Sequence, residues 1–442
     1  MNTFDAQGLV LSGADATAAA DYQRALRQLQ CYIEDPVASA HAALARCPEF
    51  VMAHLLHAYL HLLGTEPAGI PIARASHAAA AGLDQNARER AHAEAVADLI
   101  AGHWHRAGRV LEDIAIAFPH DVLALQAGHL VDFYTGNARM LRDRIARALP
   151  AWTPEQPGYH ALLGMHAFGL EETGNYQQAE REGRAAVEHE PRDGWAWHAV
   201  AHVKEMQGQP RAGIDWMRRD TGAWATDSFF QVHNWWHLAL FHLELGEIDT
   251  VLDLFDGPIH GARSTVVLDL IDASALLWRL QLLGVDVGVR WQTVADAWAP
   301  IAAAGNYAFN DLHAVMAFAG AGRADQVEAV LAAQQAAMAR ADDNTDFTRQ
   351  VGHPLTLALQ DFALGRHAQA VEHIRSVREI AHRFGGSHAQ RDLLDLTLIE
   401  AARRAGEAGL AQALWAERLD RRPATPLSQL LRIRAASLAD VA

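Results

Sequence analysis

An all-α fold of stacked helix pairs is what this sequence predicts, and three observations carry the prediction. Ala-rich segments place apolar residues every three or four positions, the period of an amphipathic helix. Gly, Pro and Asn interrupt them at short intervals, while the period-two alternation of strands is weak throughout. The same punctuation also returns at a regular spacing, the mark of a repeat architecture. The clearest stretch runs from Tyr159 to Gln209. There Gly174-Asn175-Tyr176 makes a turn, Ala179, Gly183 and Ala186 line the small face of a second helix, and Pro191 stops it. Gly208 follows Gly174 by 34 positions, so a second repeat continues in register.

A helix-turn-helix unit of about 34 residues is the tetratricopeptide period. The same grammar recurs as Gly102, Ala107 and Pro119, as Gly365 and Ala370, and as Gly406, Ala411 and Pro423. The prediction is therefore one tetratricopeptide-like α-α superhelix, a solenoid of antiparallel helix pairs over residues 1–442, with a concave inner wall. The strongest interruption, the Pro-rich stretch 150–158, is where a subdivision would fall. A second irregular stretch, Ala341 to Asp346, reads as a polar loop.

Composition narrows the function. With 37 Lys and Arg against 53 Asp and Glu, the net charge of -16 opposes the basic patches that hold a phosphate backbone, so nucleic acid is not expected as a partner. Half of the residues are hydrophobic and 20% charged, as suits a chain with a large core. The first residues lack a basic segment followed by a long apolar run, and no later stretch reaches the ~18 apolar residues of a membrane span. These features predict a soluble, cytoplasmic protein. Cys31 and Cys47 are too few for a disulfide framework or a structural Cys-zinc site and read as small buried thiols.

Histidine is the unusual residue, at 25 copies. Two strings stand out: Trp197-His198-Ala199-Val200-Ala201-His202-Val203-Lys204-Glu205 and Val232-His233-Asn234-Trp235-Trp236-His237. In each, two imidazoles are four positions apart and share a helix face. Two such imidazoles with a carboxylate can hold a zinc-like divalent ion, and three protein ligands with an open position would make the site catalytic. The structural alternative has the same histidines tying helices together, with Trp197, Trp235 and Trp236 in the core. No His-Glu-x-x-His string is present, since Ala199 follows His198; Glu89-x-x-His92 is a single copy and weak evidence for a di-iron site.

Further candidates lie outside these strings. His313 follows Asp311 by two positions and is either an oriented base or a core residue. Asp269 and Asp272 share one side of a helix ahead of Trp278-Arg279 and are expected to pair with a basic residue rather than to form a second metal site. His54, His57 and His61 form another helical stripe, read as exposed helix surface unless it closes the same cavity. In Gly385-Gly386-Ser387-His388-Ala389-Gln390-Arg391, Ser387 and Gln390 make a capping box, so a helix starts at His388. Its first-turn amides with His388 and Arg391 would receive a carboxylate or phosphate, unless they serve capping alone. Phosphate loops, dinucleotide fingerprints, nucleophile elbows and kinase signatures are missing from the sequence.

With these strings in hand, the chain resembles the tetratricopeptide repeat protein 38 family. The likeness covers most of the chain and rests on the two histidine strings, on Pro48 to His54, on Asp269 to Leu280, on Phe309 to Ala314 and on Gly385 to Asp392. The resemblance implies the fold and the importance of these positions, without a settled reaction. In tetratricopeptide repeats the first helix of each pair lines the concave face, and its fifth, ninth and twelfth positions are habitual ligand contacts. For a repeat beginning at Gly194 those are His198, His202 and Glu205.

The functional expectation is a histidine-lined small-molecule site of an enzyme using acid-base or metal-assisted hydrolytic chemistry. His198, His202, Glu205, His233 and His237 form its central group, with His313 and His388 as further catalytic groups. Asn234, Trp197, Trp236 and Arg391 would contact substrate. The metal, zinc being the example, would sit on His198, His202, Glu205 and His237. The rival expectation is a non-catalytic scaffold that binds a peptide or protein partner in its groove. Apolar terminal helices would also allow a homodimer.

Overall fold

The computed structural model describes residues 3–436. The chain is all-α, a tetratricopeptide-like solenoid of antiparallel helix pairs, and its contacts divide it into two compact units. One comprises Met1–Val203 with Asp220–Gln231, the other Lys204–Arg219 with Val232–Ala442. The Pro-rich stretch at 150–158 lies inside the first unit.

The first unit opens with a two-stranded ribbon, Thr3–Phe4 antiparallel to Val10–Leu11, which the weak strand signals did not reveal. Helix pairs follow: Ala16–Cys31 with Pro36–Arg46, Val51–Leu62 with Gly69–Ala81, Ala87–Ala101 with Trp104–Ala117, Val122–Tyr134 with Ala138–Ala148, and Tyr159–Glu172 with Tyr176–His189. Their starts carry the residues that satisfy orphan amides: Asp15, Asp35, Asp121 and Asn137 each accept from a first-turn N–H, and Asn86 with Glu89 forms a capping box. Ala179, Gly183 and Ala186 are the buried face of the Tyr176–His189 helix, as their spacing predicts. Gly174 turns at φ 80°, a conformation only glycine adopts cheaply. The 220–231 segment returns to the first pair, where Ser228 Oγ and the Phe229 amide both donate to the Tyr32 carbonyl at 3.0 Å.

The second unit continues the pattern with Gln231–Glu244 and Ile248–Leu254, Val267–Leu282 and Arg290–Trp298, Ala308–Gly320 and Ala324–Ala337, His353–Ala363 and His367–Val377, and His388–Arg404 and Ala408–Arg421. A last helix, Pro426–Ala436, packs on Ala408–Arg421. Ser387 and Gln390 form the expected capping box, and the helix starts at His388. Val122–Tyr134, Tyr159–Glu172 and Ala308–Gly320 are buried on nearly every side, so these helices are core on several sides rather than amphipathic. Among the described residues no helix is long and apolar enough to cross a membrane.

Candidate functional site

In the first unit, the Gly194–Met206 helix brings His198 and His202 onto one face with ring centroids 4.3 Å apart. Both are buried in an aromatic box. His198 stacks on Phe168 at 5.3 Å and meets Trp195 at 4.8 Å and Phe230 at 5.2 Å. His202 Nδ1 lies 3.5 Å from Glu171 Oε2, and neither side chain touches solvent. Trp197 turns its indole N–H to the Pro191 carbonyl at 2.9 Å, which anchors the helix to the preceding turn.

In the second unit, the Gln231–Glu244 helix places His233 and His237 with ring centroids 4.9 Å apart and nearly perpendicular. Each imidazole is oriented by a carboxylate from elsewhere in the unit. His233 Nδ1 donates to Asp272 Oδ1 at 3.0 Å and Oδ2 at 2.9 Å, and His237 Nδ1 donates to Glu205 Oε2 at 3.1 Å. Burial pushes the Asp272 carboxyl up from its ordinary range, a shift that His233 opposes. Trp236, wholly buried, stacks under His233 at 5.3 Å and carries the Arg279 guanidinium 5.3 Å from its ring; Asn234 is equally closed off. A carboxylate on Nδ1 fixes tautomer and ring plane, leaving Nε2 as the nitrogen that acid-base or ligand chemistry would use.

The remaining candidates have local partners. His313 donates from Nδ1 to the Phe309 carbonyl at 2.8 Å rather than to Asp311, because residues two apart on a helix point to nearly opposite sides. Burial lowers His313 to about 4 and raises Asp311 to about 7. Arg391 donates to the Gly386 and Gly385 carbonyls, closing the loop ahead of its own helix, while His388 is half-buried at the first helical position. His57 bonds Ser76 Oγ at 2.7 Å and lies 3.3 Å from His61, and His54 bonds the Pro48 carbonyl at 2.8 Å. Glu89 binds the Ser12 and Asn86 amides, and His92 bonds Asp121 at 2.9 Å, so this Glu-x-x-His is structural. Cys31 is buried, and burial pushes its thiol well above the ordinary range; Cys47 is half-buried.

Sequence reading missed a small cavity of about 40 Å³ within the second unit. Leu240, Leu243, Leu396, Ile399, Trp415 and Leu427 supply apolar wall, and Glu205, Glu244, Asp392 and Glu400 with Arg279 and Arg403 supply charge. Asp392 is held by Arg418 at 2.8 and 3.2 Å and by Arg422 at 3.4 Å. Burial alone would raise Asp392, but these guanidiniums hold it well below the usual carboxylate range. Arg422 also reaches Glu205 at 3.6 Å, and Thr425 donates to Glu244, whose carboxyl burial pushes up. Arg279 differs from the other two arginines. It is 4% exposed and donates only to the Ala275 and Ala389 carbonyls, at 3.2 and 2.8 Å, with no carboxylate in salt-bridge contact among the described residues. The spacing of Arg418 and Arg422, one helical turn apart ahead of Pro423, was the available signal for this network.

No family model matches the chain. Among solved structures it is similar to a chain of the APC/C hetero-tetramer Cut9-Hcn1, with a TM-score of 0.49 and 12% identity over 95% of this chain and 70% of that one. It is similar also to the human IFIT1 dimer with m7Gppp-AAAA, with a TM-score of 0.43 and 16% identity over 97% and 96%. The TPR domain of P58(IPK) aligns with a TM-score of 0.20 and 14% identity over 89% and 99%. At these identities the likeness is one of helical fold alone.

Proposed function

We propose that this chain is a non-catalytic binding scaffold, and that the cavity of the second unit receives an apolar peptide segment of a partner protein bearing one carboxylate. The observation that carries this reading is Arg279, a guanidinium buried in the wall of this cavity whose hydrogen bonds go to backbone carbonyls, with no carboxylate in direct contact among the described residues. Asp392, Glu205 and Glu244 act on this buried cation only at a distance, and an arriving carboxylate would add a direct partner with bidentate geometry. The apolar wall would provide most of the affinity, as in pockets where a few polar groups fix orientation. The resemblance of the sequence to the tetratricopeptide repeat protein 38 family would place the chain among that family's relatives.

The test is selection of peptides from a randomised display library on the full chain, run in parallel on Arg279→Gln and Leu396→Glu variants. Wild-type protein should enrich apolar peptides with an acidic residue, and each variant should weaken the selected peptide at least tenfold with an unchanged helical melt. Enrichment that ignores both substitutions would refute the assignment.

A second reading rests on the carboxylate-oriented imidazoles His233 and His237. In it they act as acid-base groups or metal ligands for hydrolysis of a small molecule, with His198, His202 and Glu205 in support. Elemental analysis of protein purified without chelator tests the metal form. Near-stoichiometric zinc, manganese or iron lost in His233→Ala/His237→Ala favours it, and equal metal in both proteins removes it.

A further inference from the structure

We propose that Cys31, His160 and Glu190 form a binding site for a divalent metal ion of the zinc type within the first unit. Three helix ends converge there. Cys31 is the last residue of the Ala16–Cys31 helix, His160 the second of Tyr159–Glu172, and Glu190 directly follows Tyr176–His189. One sulfur, one ring nitrogen and one carboxylate oxygen from these side chains lie within 4.8 Å of one another. Tetrahedral zinc, with bonds of about 2.0–2.3 Å, sets its ligand atoms roughly 3.5 Å apart. Small side-chain rotations close that difference.

The chemistry of the set is selective. Thiolate, imidazole and carboxylate together suit zinc and its neighbours and not calcium or magnesium, which take oxygen ligands. The imidazole is also pre-oriented. His160 Nδ1 donates to Asp193 Oδ2 at 2.7 Å, leaving Nε2 for the ion, and Asp193 is itself fixed because its Oδ1 accepts the Ala196 amide at 2.9 Å. Carboxylate on imidazole is the usual outer-shell support of a metal-bound histidine. Asp193 is completely buried, so this support does not fluctuate with solvent.

Entry is provided by a cleft of about 580 Å³ lined by His160 and Glu190, together with Gln30, Arg27 and Tyr159. Arg27, half-exposed, pairs with Glu190 at 2.9 Å, and the Arg192 amide donates to it at 3.2 Å. One carboxylate has lone pairs for the amide and the ion together, and the Arg27 side chain can swing into the cleft. With three protein ligands, the fourth position faces the cleft and takes water. Binding expels the thiol proton.

The experiment is titration of the metal-free full chain with cobalt(II), read by absorption. Expected is one equivalent showing tetrahedral d–d bands with a thiolate-to-cobalt charge-transfer band. Zinc should displace it. The charge-transfer band should vanish in Cys31→Ser and persist in Cys47→Ser, which separates this site from any nitrogen-only binding by the histidine pairs. Asp193→Asn keeps the amide acceptor and should weaken cobalt binding ten- to a hundredfold. Should Cys31→Ser fold poorly, His160→Gln supplies the same loss of affinity. No thiolate band in wild type, or a band that survives Cys31→Ser, overturns the site.

Discussion

His233 shares its Nδ1–H between both carboxylate oxygens of Asp272, at 3.0 and 2.9 Å, with the two side chains almost wholly withdrawn from solvent. The contact joins the Gln231–Glu244 helix to the Val267–Leu282 helix through a buried polar pair. Neither partner has water to fall back on if the other is removed.

Asp272→Ala should therefore destabilise the second unit by about 3 kcal/mol, since it strands a buried donor and leaves a hole. Urea denaturation measures this. The His233→Ala/Asp272→Ala double variant should cost less than the two single losses added together. Strict additivity would mean that the pair carries no coupling.

Asp311 should make the protein more stable in acid than in base over its own window. Its folded-state pKa of about 7 lies above the ordinary 3.8, so the folded protein holds the proton more tightly. That contribution is complete below pH ~3.8 and is lost as pH rises through about 7. Asp311→Asn removes it, and the variant should exceed wild type at pH 8 by up to ~4 kcal/mol while matching it near pH 4. Denaturant midpoints of the two proteins across this range decide it.

His313 works in the opposite sense. Burial lowers it to about 4 from 6.5, so the unfolded chain takes up the proton first. Its contribution is complete above pH ~6.5 and is lost as pH falls through 4, by roughly 3 kcal/mol. His313→Gln retains a donor for the Phe309 carbonyl and should flatten this limb of the stability profile. A profile with unchanged slope between pH 7 and 4 would contradict the assignment.

Gly169 is packed against main chain. A Cβ there would lie 2.4–2.6 Å from the backbone of Leu141 and Arg142, atoms that cannot rotate aside. Gly169→Ala should cost about 2–3 kcal/mol through overpacking, despite the helix propensity it gains. A thermal melt of the variant checks this.

The helix pairs, the small face of Ala179, Gly183 and Ala186, and the capping box at Ser387 were legible because each is written within a few residues. The same local view finds that His198 and His202, or His233 and His237, share a helix face. It does not find their partners. Asp193 stands 33 positions after His160, Asp121 33 after Arg88, and Glu205 32 before His237. Equivalent positions of neighbouring helix pairs face each other, so a search for an acid about one repeat away would have revealed these contacts. The cavity around Arg279 was hidden for another reason. Its wall combines six helices whose distant segments have no common spacing in the sequence.

Self-similar repeats carry a folding hazard, since a helix that docks one turn out of place still buries leucine and alanine against a similar neighbour. The paired charges between helices remove that freedom. A slip of one turn, about 5.4 Å, would part Arg88 from Asp121 and Arg144 from Asp132 and leave four charges in a dry interior. These contacts act as keys that admit one alignment of each helix against the next, whatever they add to stability.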